Sequence, residues 1–414
     1  DMEGEFTVGY LAPDRVRLVN ADAPPDVEFR GTLAADEARS IRRIDPRRLL
    51  EELDRHPEWV VDERPDGWRD VRWPGAEALA SIRIRDGRLA SVRTTADLPL
   101  RGRVPVVWNW TGPADGTGPA LELRVDGRPL FRATGSRRRL PSEEADRLWE
   151  PSGGESPIEV PGKAWPSVVN MRVETLDPGV HIVRGVRTGF HHLVVETREG
   201  LVVADAPAGW VEQHQVPPAD LVPGLGISGL SERFIDFLRR QWPGVPIRAV
   251  ALTHLHDDHA GGARAFAAAG AEVYAPADVA DFLETALNRA SMPSDRLSGT
   301  GRKVRVIGVE GRLALPDPER PVELISMGRN PHVDAALGVQ VPSASIFFQS
   351  DLHVPTTEAP TPRADRLETD CWFAVWATAS LPPETELHNS HTATTLSVEA
   401  VAAYLAHEAC DGTR

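Results

Sequence analysis

The segment Thr253, His254, Leu255, His256, Asp257, Asp258, His259, Ala260, Gly261, Gly262 constrains this chain more than any other stretch of it. Three imidazoles and a carboxylate packed into so few positions are costly unless something neutralises and orients them, and a divalent metal ion does both. Histidine nitrogen and aspartate oxygen are ordinary zinc ligands at about 2.0 to 2.2 Å. The apolar run from Ile247 to Leu252 reads as a strand, and the Ala-rich run after Gly262 reads as a helix. The polar residues therefore fall on a loop at the C-terminal end of a strand, where ligands gather in α/β sheets. On such a loop His254 and His256 can turn toward one ion while Asp258 and His259 turn toward another.

This segment is similar to the HxHxDH signature of the metallo-β-lactamase superfamily, and the resemblance implies further ligands in a set order. Asp205 ends the strand Leu201 to Ala204, where the family places an aspartate that buttresses the metal loop. His332 matches the third histidine, Asp351 the bridging carboxylate and His391 the last histidine. The resemblance thus implies one metal on His254, His256 and His332, a second on Asp258, His259 and His391, and Asp351 between them. It spans about residues 168 to 405 and stops short of the N-terminal part. Two departures stand out. The last histidine of the family usually follows glycine, whereas Ser390 precedes His391 here and His388 lies upstream as an alternative ligand. His332 follows Pro331 rather than the common Gly or Gly-His, so its loop enters the site differently. His191, His192 and His353 are near enough in sequence to line a pocket but read more readily as structural.

The implied cofactor is Zn2+, two ions per chain. Such a pair shares a water and lowers its pKa from about 15.7 toward about 7, and Asp258 would be the catalytic group that accepts and returns the proton. The bridging aspartate resembles family members acting on lactones, thioesters and phosphodiesters, whereas true β-lactamases of this fold typically lack it. His256 stands where the di-iron oxygen-reducing members usually carry glutamate. The expectation is a dinuclear zinc hydrolase acting on a small carboxylic ester, lactone, thioester or amide. The alternatives are a mononuclear iron sulfur-oxidising dioxygenase of the same fold, since histidine and carboxylate also suit iron, a phosphodiesterase, and a non-catalytic binding protein whose function lies in the N-terminal sheet.

The chain has 414 residues, beyond the roughly 250 to 300 at which single cores stop growing. The run from Pro151 to Pro166 is dense in Pro, Gly and Ser and reads as a linker. Residues 1–165 are expected to form a mainly antiparallel β accessory domain with that linker, and residues 166–414 an α/β catalytic domain, which the resemblance makes an αββα sandwich. In the first part Phe6, Val8 and Tyr10 alternate as a half-buried strand does, and Asp45 and Pro46 open a helix over about 46 to 55. Asp86-Gly87 and Asp126-Gly127 mark two hairpins. Trp59, Trp68, Trp73, Trp108, Trp110 and Trp149 read as core rather than as a ligand platform. The region resembles, with little specificity, the open antiparallel half-barrels of lipoprotein carriers. In the second part apolar strands at 181 to 186, 192 to 196 and 201 to 204 precede a helix opening at Ser231, with Phe234, Phe237 and Leu238 on one face.

The net charge of −15 repels a phosphate backbone, so no nucleic-acid partner is expected. No apolar run approaches the roughly 18 residues that span a bilayer. Cys371 and Cys410 are too few for a disulfide framework or a thiolate zinc site, which leaves a cytoplasmic chain and an exported one with its signal removed equally open. Specificity is expected from the loops 207 to 230 and 289 to 302. In the first, Trp210 either forms an apolar wall over the metals or packs beneath its own loop.

Overall fold

A computed structural model describes residues 171–208 and 226–406 with short gaps and residue 410, together with strands lying between residues 6 and 30, between 60 and 134, and at 158–160. Two compact units emerge, one of residues 1–96 with 103–165 and one of 97–102 with 166–414.

The first unit holds two sheets. One runs β1 (Phe6–Leu11), β2 (Arg15–Asn20), β3 (Val27–Arg30) and, parallel to β3, β11 (Ile158–Val160). This last strand lies inside the stretch read as linker, where three residues are too few to show a period. The other sheet places β4 (Val60–Glu63), β5 (Arg69–Arg72), β6 (Ala80–Arg85), β7 (Arg88–Leu98), β8 (Gly102–Thr111), β9 (Ala120–Val125) and β10 (Arg128–Thr134) side by side in chain order. Both expected hairpins are present, with Asp86 at φ +52° and Gly127 at φ +75° in the left-handed region that tight hairpin turns require. Val71, Ile82, Val92, Val104 and Val106 are buried, and so is Trp68, whose ring lies 4.7 Å from the guanidinium carbons of both Arg83 and Arg93. The expected helix over 46 to 55 and Trp59, Trp73 and Trp149 lie outside the described residues.

The second unit is a four-layer αββα sandwich, as expected. Its first sheet runs in chain order through β12 (Arg172–Asp177), β13 (Val180–Arg187), β14 (Phe190–Thr197), β15 (Gly200–Ala204), β16 (Ile247–Ala251), β17 (Glu272–Pro276) and β18 (Val306–Val309). From β15 onward neighbours are parallel. The second sheet runs β19 (Arg312–Leu315), β20 (Val322–Gly328), β21 (Ala336–Val341), β22 (Ile346–Phe348), β23 (Glu386–His388) and β24 (Leu396–Ser397), with β22 and β23 parallel.

Strand alternation builds the layers. On β15, Leu201 and Val203 face one core while Val202 and Ala204 face another, so every residue is buried. The first core lies under α1 (Gly229–Gln241), α3 (Ala263–Ala269) and α4 (Ala277–Leu287), with Phe234, Leu238, Phe266 and Leu283 at its centre. The middle core fills the space between the sheets, where Val202, Ala249, Leu324, Val339 and Phe348 meet. The third joins the second sheet to α5 (Leu367–Ser380) and α6 (Val398–Ala402) through Phe347, Phe373, Ala374 and Val401. Cys371 and Cys410, set aside in the sequence as too few for a framework, bond to each other and tie the C-terminal segment to α5. Spacing could not disclose a pair that meets only once the chain has folded back. Among the described residues no helix is long and apolar enough to cross a membrane.

Candidate metal centre

The chain leaves β15 and β16 side by side, and these two exits carry the first part of the site. Asp205, wholly buried after β15, takes a left-handed backbone at φ +68°, which few non-glycine residues adopt. Its amide donates to the Ala251 carbonyl at 2.8 Å, its Oδ1 accepts the Thr253 amide at 2.8 Å, and its Oδ2 lies 2.9 Å from His259 Nδ1. The backbone beyond it laces onto the metal loop. Ala206 donates to the His259 carbonyl at 2.7 Å, Ala208 to that of Asp257 at 3.1 Å, and Gly262 back to Ala206 at 2.8 Å. A Cβ at Gly262 would stand 2.1 Å from Ser231 Oγ and 2.5 Å from the Pro207 oxygen, so glycine there permits the close approach of loop, strand exit and α1.

His256 caps the single turn α2 (Asp257–Ala260), which turns Asp258 and His259 into the interior. His254 Nδ1 lies 3.1 Å from Thr253 Oγ1, and its Nε2 lies 3.0 Å from His256 Nδ1 and 3.8 Å from Asp351 Oδ2. His332 Nε2 approaches that same Oδ2 at 3.4 Å. The other oxygen, Asp351 Oδ1, lies 2.9 Å from His391 Nε2 and 3.3 Å from His259 Nε2, and the latter is 3.2 Å from Asp258 Oδ2. Two groups result, His254, His256, His332 and Asp351, and Asp258, His259, Asp351 and His391, each with its candidate ligand atoms within 4.8 Å of one another.

The residues present fit a metal pair. Nε2 of His259 and of His332 are buried without a hydrogen bond, a state that costs free energy unless another partner takes the nitrogen. Donor chemistry agrees, because three nitrogens with one oxygen and two nitrogens with two oxygens both suit zinc.

Two asparagines set the later histidines, and sequence reasoning passed over both. Asn330 Oδ1 accepts the amides of His332 and Val333 at 3.0 Å each, and Asn389 Oδ1 accepts those of His391 and Thr392 at 2.9 and 2.7 Å. Each is an Asx turn that fixes the histidine backbone. The signal available was the repeated spelling Asn-x-His, in Asn330-Pro331-His332 and Asn389-Ser390-His391. Asp351 and His391 themselves follow the parallel strands β22 and β23, so the second sheet contributes ligands at strand ends just as the first does.

Electrostatics within the cluster are strongly coupled. Burial drives His254 well below the usual imidazole range, helped by the neighbouring His259. Burial also opposes the charged form of His259, but Asp351, Asp205 and Asp258 outweigh it and hold that ring well above its ordinary value. Asp351 and Asp258 would be raised by burial, yet His259 overrides this for both, placing Asp351 well below the carboxylate range and Asp258 below it. Asp257 is pushed up to about 6 by burial, and then by Asp258 beside it.

Other histidines fall outside the two groups. His388, the alternative last ligand, sits on β23 with Nε2 3.3 Å from Glu386 Oε1. His353 pairs with the Tyr404 hydroxyl at 2.9 Å, and His192 Nδ1 donates to the Ala204 carbonyl at 3.0 Å. Trp210 and most of the loop 207 to 230 lie outside the described residues. The loop 289 to 302 is pinned, with Leu297 buried, the Asp295 carboxylate on Arg264, and Arg296 3.2 Å from Glu232 of α1.

A family model described as the metallo-beta-lactamase superfamily matches residues 228–336. This stretch belongs to that superfamily. Five of the seven grouped residues, from His254 to His332, lie inside the metallo-beta-lactamase match, while Asp351 and His391 lie beyond it and join through the geometry above. No curated protein matches the chain. Among solved structures, a metallo-beta-lactamase from Pontibacter korlensis is similar at 18% identity, covering 58% of this chain and 100% of that one, with a TM-score of 0.40. The FIM-1 metallo-beta-lactamase from Pseudomonas aeruginosa, in its mono-zinc form, is 17% identical over 60% of this chain and 99% of its own, with a TM-score of 0.41. A stereoselective inverting sec-alkylsulfatase from Pseudomonas sp. is 17% identical over 57% of this chain and 40% of its own, with a TM-score of 0.36.

Proposed function

We propose that the chain is a metal-dependent hydrolase holding two zinc ions, one on His254, His256 and His332, one on Asp258, His259 and His391, with Asp351 bridging them. The observation that carries this reading is the division of Asp351, whose Oδ2 faces His254 and His332 while its Oδ1 faces His259 and His391. When bound, such a pair supplies Lewis acidity and a nucleophilic water of lowered pKa. The chain's own residues do the rest. Asp205 holds His259 Nδ1, which leaves Nε2 for the cluster and fixes the ring's orientation. Thr253 does the same for His254. Asp258, kept ionised by His259 despite its burial, takes the proton of the attacking water and returns it to the leaving group.

The substrate proposed is a small carboxylic ester, lactone, thioester or amide; a bridging aspartate resembles hydrolases of lactones, thioesters and phosphodiesters, and phosphodiesters are the competing class. Specificity is assigned to the loops 207 to 230 and 289 to 302, with Trp210 as the candidate wall. Protein purified without chelator should carry close to two zinc per chain, whereas one iron and no zinc would replace the hydrolase with the iron oxygenase. A panel of lactones, thioesters, carboxylic esters, phosphodiesters, sulfate esters and β-lactams tests the substrate class, and turnover of bis-aryl phosphodiesters or RNA alone overturns it. Asp258→Asn should cost several orders of magnitude in rate. Retention of biological activity in that variant would move the function to the N-terminal sheet.

A further inference from the structure

Ser350 is the residue before the shared carboxylate, and it is neither a glycine nor a ligand. Its backbone is left-handed, at φ +62°, a conformation that L side chains adopt at an energetic cost. Its side chain is nearly inaccessible, at 1% exposure. The hydroxyl gathers four polar atoms from four segments: Asp205 Oδ2 at 3.2 Å, His259 Nδ1 at 3.1 Å, Asp351 Oδ1 at 3.3 Å and Ser390 Oγ at 3.1 Å. Ser390 is wholly buried, and its amide also donates to the Ser350 carbonyl at 3.1 Å.

A hydroxyl has one proton and two lone pairs, so these contacts can be sorted. The His259 Nδ1 proton belongs to Asp205 Oδ2, its partner at 2.9 Å. Ser350 therefore shares its own proton between Asp205 Oδ2 and Asp351 Oδ1 in a three-centre, charge-assisted bond. Ser390 is then the donor to Ser350 and orients it. Asp205 and Asp351 are 146 positions apart in sequence, and this one hydroxyl touches both.

We propose that Ser350, oriented by Ser390, is a positioning residue that ties the buttress carboxylate Asp205 to the bridging carboxylate Asp351 and so shapes the second of the two metal sites. This rests on the dinuclear reading above. The oxygen it touches, Asp351 Oδ1, is the one that faces His259 and His391, not the one that faces His254 and His332. A cost in backbone conformation is tolerated at this position, where glycine would remove it but leave no hydroxyl.

Ser350→Gly separates the two roles, because it relieves the backbone while deleting the hydroxyl, and Ser350→Ala and Ser390→Ala delete a hydroxyl without that relief. The measurement is stepwise zinc affinity by chelator competition on each full-length variant, with cobalt(II) absorption as a readout of ligand geometry and melting of the metal-free protein as a control. Ser350→Gly should weaken the step that fills the Asp258, His259 and His391 site about 10-fold or more, leave the other step within about threefold, change the cobalt spectrum of the weakened step, and leave metal-free melting unchanged or raised. Ser390→Ala should move the same step in the same direction by less. Wild-type affinities and spectra in Ser350→Gly overturn the inference, as does a fall in metal-free melting in all three variants with both metal steps intact. In either case the dinuclear reading stands if wild type takes two metals. A wild-type chain that takes up no second metal overturns both.

Discussion

The two halves of the metal cluster are built differently. The half made by Asp258, His259 and His391 is dug into the fold: His259 is fully buried and leans on Asp205, itself fully buried and hydrogen-bonded to both neighbouring segments. The half made by His254, His256 and His332 opens outward. Two of its three residues, His256 and His332, are partly exposed, against His391 alone in the other half. His332 is steered through its backbone by Asn330, just as His391 is by Asn389, whereas the ring of His259 also leans on Asp205. On the proposed dinuclear reading, the difference means one pre-formed half that anchors Asp351 and one more accessible half that would meet solvent and substrate first.

The strongest way to break this comparison is to remove what the halves share. Asp351→Ala deletes the oxygens that face both histidine sets, so zinc content should fall from about two per chain to below one, with hydrolytic rate down about a thousandfold or more. Metal analysis and single-turnover kinetics check this together. Retention of one tightly held zinc on the buried half alone would show that the halves are independent, contrary to the bridge.

Asp205→Asn comes next. It keeps the shape of the side chain but loses the charge beside His259, so affinity at the buried half should drop about 10- to 100-fold while the open half holds its metal. His332→Ala is the mirror experiment and should weaken the open half alone. If both variants weaken the same titration step, the assignment of braces to halves is wrong.

Partial metal removal gives a smaller effect. Dialysis of the two-zinc protein against a graded chelator should strip the open half first, leaving a one-zinc form whose cobalt-exchanged spectrum matches that of His332→Ala. A one-zinc form matching Asp205→Asn instead would reverse the order argued here.

How much of this was legible follows from which contacts are local. The loop from His254 to His259 announced itself because its candidate ligands sit on contiguous chain after a strand, and an α/β layered domain was legible in the alternation of apolar strands with an amphipathic helix at 231 onward, its αββα form only through the family resemblance. His332, Asp351 and His391 were accessible only through the order that the family resemblance imposes. Hidden were the contacts between distant segments: the Asx turns of Asn330 and Asn389, the hydroxyl of Ser350 on Asp205, the bond between Cys371 and Cys410, and the short strand β11 inside an apparent linker. No periodicity records such meetings, because each residue is unremarkable until the fold supplies its partner. Helix α1 illustrates the local limit, since it opens at Gly229 rather than Ser231, whose hydroxyl instead donates to the Pro207 carbonyl at 2.7 Å.

The least effect, and the one that tests the buried half without touching a ligand, concerns His192. Its Nδ1 donates to the carbonyl of Ala204, the residue before Asp205, at 3.0 Å, and its ring centroid lies 5.0 Å from that of Phe234. Burial, only partly offset by Asp205, lowers its pKa to about 4. The unfolded ring titrates near 6.5, so between these values the unfolded chain binds a proton that the folded chain refuses. Stability from this residue is therefore complete above about pH 6.5 and is lost as pH falls toward about 4, by at most about 3 kcal/mol. His192→Gln keeps a donor for the Ala204 carbonyl but cannot titrate. Metal-free wild type should lose more stability than His192→Gln between pH 7 and pH 4.5 in urea titrations, by roughly 1 to 3 kcal/mol, and ligand histidines common to both proteins cancel in the difference. Parallel pH curves would mean that His192 accepts a proton in the folded state without penalty, so that its surroundings are not dry, which removes the basis for calling that half of the site dug in.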